Sequence, residues 1–166
     1  MHSAVKIYQA LIEPHFAYCS SVWDGLSLSL SDKLQKLQNR AVRIITKSSY
    51  DTSAGPLLDM LGMDRVSIGR TKQKAILMFK TLNNQAPRYL QDMFSKRQSL
   101  YNTRYSENTL QVPKPRTNYL KRSFGYSGAA LWNRLPPALR EPMTLSKFKK
   151  GINDFYKQAG THTANM

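Results

Sequence analysis

Between Ser31 and Lys47, apolar residues return at helical intervals: Leu34, Leu37, Ala41 and Ile44 stand at i, i+3, i+7 and i+10. That spacing keeps them on one side of an α-helix and would scatter them over both faces of a strand. It predicts a helix N-capped by Ser31 after an SLSLS linker, with those four residues inward. Lys33, Lys36, Arg40, Arg43 and Lys47 repeat the interval one residue earlier, which sets them about 100° round the helix from the apolar stripe. No acid lies between Lys33 and Lys47. Two readings stay open for this flank: a solvated face, or a row of phosphate contacts that holds a nucleic-acid backbone without reading its sequence.

The flanking segments extend the helical pattern. Val5, Tyr8, Leu11 and Ile12 follow helical spacing, and Pro14 should kink that helix or open a second one holding Phe16, Cys19 and Trp23, ended by Asp24-Gly25. A short helix is expected from Pro56 to Leu61, stopped by Gly62. Asp64 then caps a long helix with Ile68, Ala75, Ile76, Phe79 and Leu82 inward, fading at Asn83-Asn84. Thr144 caps a last helix with Leu145, Phe148, Ile152 and Phe155 on one face, and the chain after Gly160 is expected to fray.

From Lys96 to Arg140 the texture changes. Prolines stand at 113, 115, 136 and 137, and nine Lys/Arg are opposed only by Glu107. Regular helix is not expected over most of this stretch. Thr109 to Val112 reads as extended, and Ser127 to Leu135 as a short helix carrying Trp132. Within it, Lys114, Arg116, Lys121 and Arg122 can pair with phosphates while Tyr119 stacks on a base or sugar. The other reading is a Pro-stiffened connector whose Leu120, Phe124 and Tyr126 pack onto the helices. The predicted fold is a mainly α small helical bundle, one domain, crossed by an irregular, basic, proline-containing segment.

The net charge of +15 is unevenly held: residues 1–83 carry eleven Lys/Arg against six Asp/Glu, and residues 84–166 fourteen against four. Such a field gathers polyanions, whether RNA, DNA or an anionic membrane. A single cysteine, Cys19, excludes an internal disulfide framework and a Cys-clustered zinc site. The longest apolar runs fall well short of the ~20 residues of a membrane span, and the first residues do not resemble a signal peptide, so the expectation is a soluble, intracellular protein with no membrane partner.

Sites for chemistry are sparse. The ten acidic residues are scattered singly, with Asp59 and Asp64 nearest in sequence, and there is no Gly-rich phosphate loop, GxSxG elbow or HExxH pair. His15 and Cys19 lie four apart and would share a helical face; packing of Cys19 as a small buried hydrophobe among Phe16, Tyr18 and Trp23 is the favoured reading over a metal pair or nucleophile. No catalytic residue, metal ligand or cofactor is expected.

The blocks YQALIEPHFAYCSSVWDGLS, KLQKLQNRAVRIITKSSYDT, KQKAILMFKTLNNQAPRYL, PKPRTNYLKRSFGYSGAALWNRLPPALR and MTLSKFKKGINDFY, in this order, resemble the C-terminal region of the reverse transcriptase of non-LTR, LINE-type (jockey-like) retrotransposons. The resemblance implies segments downstream of a polymerase palm that hold a primer-template. Residues 1–95 would be a thumb-like helical region, 96–142 a basic irregular connector, 143–160 a C-terminal helix on the same core, and 161–166 a frayed tail. The palm carboxylates and the Tyr-x-Asp-Asp turn of that family are absent, so the implied role is noncatalytic binding of RNA, DNA or RNA–DNA hybrid, with a reverse transcriptase palm as partner in the parent protein. The competing expectation is a fragment whose apolar faces formerly met that palm and now serve protein association.

Overall fold

The protein was analysed as a computed structural model, which describes residues 2–97 and 108–162. Among the described residues the chain is mainly α-helical, with a single antiparallel bridge between Lys96 and Leu110. No helix among them is long and apolar enough to cross a membrane. Two compact units divide the chain, residues 1–73 and 74–166.

In the first unit α1 (His2–Leu11) is followed by α2 (Glu13–Ala17) and α3 (Ser20–Trp23). Pro14 opens α2 rather than bending α1, as its missing N–H allows in a first helical turn. The helix expected through Cys19 is interrupted there, because Cys19 takes a left-handed backbone (φ 48°) and is exposed. The expectation of a buried thiol is therefore wrong, and with the helix broken before Cys19, His15 and Cys19 do not share one helical face.

Helix α4 (Leu28–Thr46) starts earlier than the sequence suggests. Ser27 caps it by accepting from the Leu30 amide, so most of the SLSLS stretch is helical, and Ser31 instead accepts from Arg70 Nη2 at 2.7 Å. Its inward face is also different. Gln38 and Val42 are buried, Leu34 and Ala41 are half-buried, and Leu37 and Ile44 face solvent. The reason is polar: Gln38 Nε2 donates to the Asp64 carbonyl (2.8 Å) and its Oε1 accepts from the Val66 amide (3.2 Å). A glutamine hydrogen-bonded at both its amide nitrogen and its oxygen can occupy a core position that apolar counting assigns to leucine.

Gln35 and Gln38 also answer the question of what caps α6 (Val66–Leu82), since both side-chain oxygens accept from Val66 N. The Asp64 carboxylate pairs with Lys72 Nζ at 2.5 Å instead. Before it, α5 (Ala54–Met60) ends as expected near Gly62, whose φ of 64° suits glycine.

The second unit is built on aromatic packing. From the later part of α6, Ala75, Met78 and Phe79 meet Ala129, Trp132 and Leu135 of α9 (Phe124–Arg134) and its end, and Phe148 and Ile152 of α11 (Leu145–His162). Phe148 stacks on Phe79 with ring centroids 4.5 Å apart, and on Trp132 at 6.0 Å. Thr144 caps α11 as expected, accepting from the Lys147 amide. Met78 sulfur would lie 2.6 Å from a Cβ at position 128, so Gly128 is what lets α6 and α9 approach. The segment at Leu110 is extended as expected, and Asn133 holds it by accepting from Leu110 N (2.8 Å) and donating to Leu110 O (2.9 Å).

Helix extends further into the basic stretch than expected. Beyond α7 (Arg88–Gln91), which precedes this stretch, short helices α8 (Asn118–Arg122) and α10 (Pro137–Arg140) join α9, leaving 108–117 as its main irregular portion among the described residues. Hydroxyl caps at Thr117 and Ser123 restart the helix after Pro115, a local signal that the proline content outweighed in the sequence reading. Residues 98–107, including Arg104 and Glu107, lie outside the described residues, as do 163–166 of the expected frayed tail; α11 itself runs on to His162.

Candidate nucleic-acid interface

The candidate residues fall into two sets, one in each unit. On α4, at about 100° per residue, Lys33, Lys36 and Arg40 project opposite the buried Gln38 and Val42 face rather than beside it. All three are exposed, as is Lys47, which terminates the helix in a left-handed C-cap with φ 55°. Positive charge at this end also complements the carbonyl end of the helix dipole.

Arg43 does not belong with them. Its Nε donates to the Thr52 carbonyl at 2.8 Å and its guanidinium lies 5.7 Å from the Tyr50 ring centroid, so it pins the loop after α4. Its half-buried position follows from lying nearest the α4 flank that this loop covers.

The second set is the strap from Val112 to Phe124. Lys114 and Arg116 are exposed in the irregular run before α8, while Pro115 and Val112 are half-buried. Thr117 Oγ1 then accepts from Leu120 N, starting α8, and Lys121 and Arg122 are exposed in its last turn. Ser123 joins α8 to α9: its hydroxyl donates to Leu120 O at 2.7 Å and accepts from Tyr126 N at 3.4 Å.

Tyr119 is 85 % exposed, with its ring open to solvent. Of the three apolar residues expected to tie the strap down, Phe124 packs edge-on against Phe94 (5.5 Å, 90°) and Tyr126 is half-buried, but Leu120 is exposed. The strap is thus anchored at its ends and offers Lys114, Arg116, Tyr119, Lys121 and Arg122 outward.

A further row of cations was missed in the sequence. Lys147, Lys150 and Lys157 are exposed on the side of α11 away from the buried Phe148 and Ile152, with the exposed Asp154 among them and Lys149 exposed on the flank. The signal was present in SKFKK, where lysines bracket a core phenylalanine. Among the described residues no group of three or more His, Cys, Asp or Glu side chains is placed to hold a metal ion. No known protein family, curated protein or solved structure matches the chain.

Proposed function

We propose that the protein is a noncatalytic nucleic-acid-binding segment that grips the phosphate backbone of a duplex such as an RNA–DNA hybrid. The observation that carries this reading is the strap: four cations and an open tyrosine ring presented together, with no acidic residue from Gln111 to Arg140. Lysine and arginine neutralise phosphates and release counterions, and a solvent-facing aromatic ring adds stacking on a sugar or an unpaired base. Lys33, Lys36, Arg40 and Lys47 supply a second cationic face on α4. The sequence blocks that resemble the thumb and connector of a LINE-type reverse transcriptase support the same role, with catalysis supplied elsewhere in a parent polymerase.

The test is binding to an RNA–DNA hybrid at two salt concentrations. Neutralising four phosphates predicts a slope of about −3 to −4 in log K against log salt, because each contact contributes about 0.9. Reversing Lys114, Arg116, Lys121 and Arg122 to Glu should weaken binding and flatten that slope, while helix content stays unchanged. Binding that ignores both salt and the reversal would eliminate this function.

A second reading, protein association, is favoured by a separate observation. Ile7, Leu11, Tyr18, Val22, Leu28, Leu30, Leu37, Ile44 and Met60 are all exposed in the first unit. Light scattering that shows self-association without any affinity for hybrid would favour it over nucleic-acid binding.

A further inference from the structure

Leu30, Leu34, Leu37, Ala41 and Ile44 advance along α4 in alternating steps of four and three residues, the a/d repeat of a helix-pairing seam. The fold leaves that seam open. Leu30, Leu37 and Ile44 are 47 %, 58 % and 69 % exposed, and only the alternate positions, Leu34 and Ala41, are partly covered. Its two flanks differ: Ser31, Gln38 and Ile45 on one side turn into the protein's own unit, whereas Lys33 and Arg40 on the other are in solvent, followed one heptad on by Lys47 at the C-cap.

We infer that this seam docks one amphipathic helix of another protein, apolar along its a/d positions and acidic along the edge that meets Lys33, Arg40 and Lys47. Charge selects that occupant over the others. A second copy laid antiparallel would set Lys33, Arg40 and Lys47 against the same cations, and one laid parallel would set them against Ser31, Gln38 and Ile45, which its own fold already covers. A bilayer surface favours a broad apolar face, and here the apolar row is narrow and walled on one side by the protein. A phosphate backbone uses the cations but gives Leu37 and Ile44 nothing to bury. The inference refines the protein-association reading and does not depend on the strap.

The experiment uses the full chain and a fluorescent synthetic helix of three heptads carrying Leu at a and d and Glu at e and g. The expected result is saturable binding that falls about tenfold or more in Leu37→Ser and in Ile44→Ser, since burial of one leucine-sized side chain is worth that much in affinity. Both residues are exposed, so the thermal melt should not change, and hybrid binding should persist in these variants. Lys33→Glu combined with Arg40→Glu should transfer preference to a probe with Lys in place of Glu. The inference is overturned by equal binding of a probe with Ser at a and d, by failure of the charge swap, by a free dimer that Leu37→Ser dissolves, or by Ile44-dependent binding to phosphatidylserine vesicles with the probe ignored. Loss of hybrid binding with probe binding intact would remove only the nucleic-acid function.

Discussion

Residues 1–73 and 74–166 solve the same problem, packing short helices, by different means. The first unit buries few apolar side chains (Tyr8, Val42, Ala54, Leu58 and Val66) and knits its helices with polar links. Gln38 joins α4 to Asp64 and Val66, while Arg70 reaches Ser31, lies 3.9 Å from Asp24 and sits over the Trp23 ring. In the second unit nine apolar residues, from Ala75 to Ile152, form a contiguous buried cluster. Of the fifteen exposed large hydrophobics among the described residues, eleven are in the first unit, so that unit has the apolar surface to spare for a partner. Charge runs the other way: nine Lys/Arg against six Asp/Glu in residues 1–73, and sixteen against four in residues 74–166. Exposed apolar surface and positive charge are therefore weighted to different halves of the chain.

The largest expected effect is in the aromatic core. Phe148→Ala removes the ring that stacks on both Phe79 and Trp132 and should cost about 3–5 kcal/mol in denaturant unfolding. Hydrogen exchange would show where the loss falls. Faster exchange confined to α9 and α11 preserves the contrast, whereas equal acceleration in α4 would mean that the units open together.

Gln38→Ala comes next. It leaves the Asp64 carbonyl without its side-chain donor and Val66 N with Gln35 alone, at a cost of about 1–3 kcal/mol. Exchange at the Val66 amide is the local readout. If the substitution proves neutral, the first unit is held by its sparse apolar contacts and the polar links merely accompany them.

These two positions also explain what was legible in the sequence. The helical class, α11 with its Thr144 cap, and the inward Ala75, Phe79, Phe148 and Ile152 were readable, because in the second unit burial follows hydrophobicity. The face of α4 was not, because Gln38 is inward through bonds to residues 26 and 28 positions away, which no local pattern encodes. For the candidate site, the strap cations read from the sequence are exposed, but Arg43 could not be told from Arg40 without seeing Thr52 and Tyr50. Cys19 was misplaced for a similar reason: hydrophobic neighbours in sequence do not bury a residue whose backbone turns left-handed.

Two buried arginines sharpen the comparison with effects of opposite sign. Both lack hydrogen bonds at Nε and Nη1. Arg70 keeps its serine, aspartate and tryptophan neighbours, so Arg70→Met should destabilise by about 1–3 kcal/mol. Arg140, at the end of α10, has no ion-pair partner among the described residues. Replacing its uncompensated charge by a side chain of similar length should stabilise by about 1 kcal/mol. Denaturation midpoints of the two variants that move in the same direction would erase the distinction between a networked and a stranded guanidinium.

The smallest effect is confined to alkaline solution, where each unit carries one tyrosine reporter. Burial raises the Tyr8 hydroxyl above its ordinary value, with Gln38 opposing from outside hydrogen-bonding geometry and Glu13 adding to the rise; burial likewise raises Tyr156, with Arg134 opposing. Each folded unit therefore favours the protonated phenol, and the unfolded chain loses that proton first, near pH ~10. The stability contributed is fully present below that pH and is lost as pH climbs through the raised folded values. Tyr8→Phe should flatten the alkaline loss recorded at α4 amides, and Tyr156→Phe the loss recorded at α11 amides. A Tyr8→Phe variant that protects α11 as strongly as α4 would show that the polar-linked and aromatic units respond to alkali as one cooperative body.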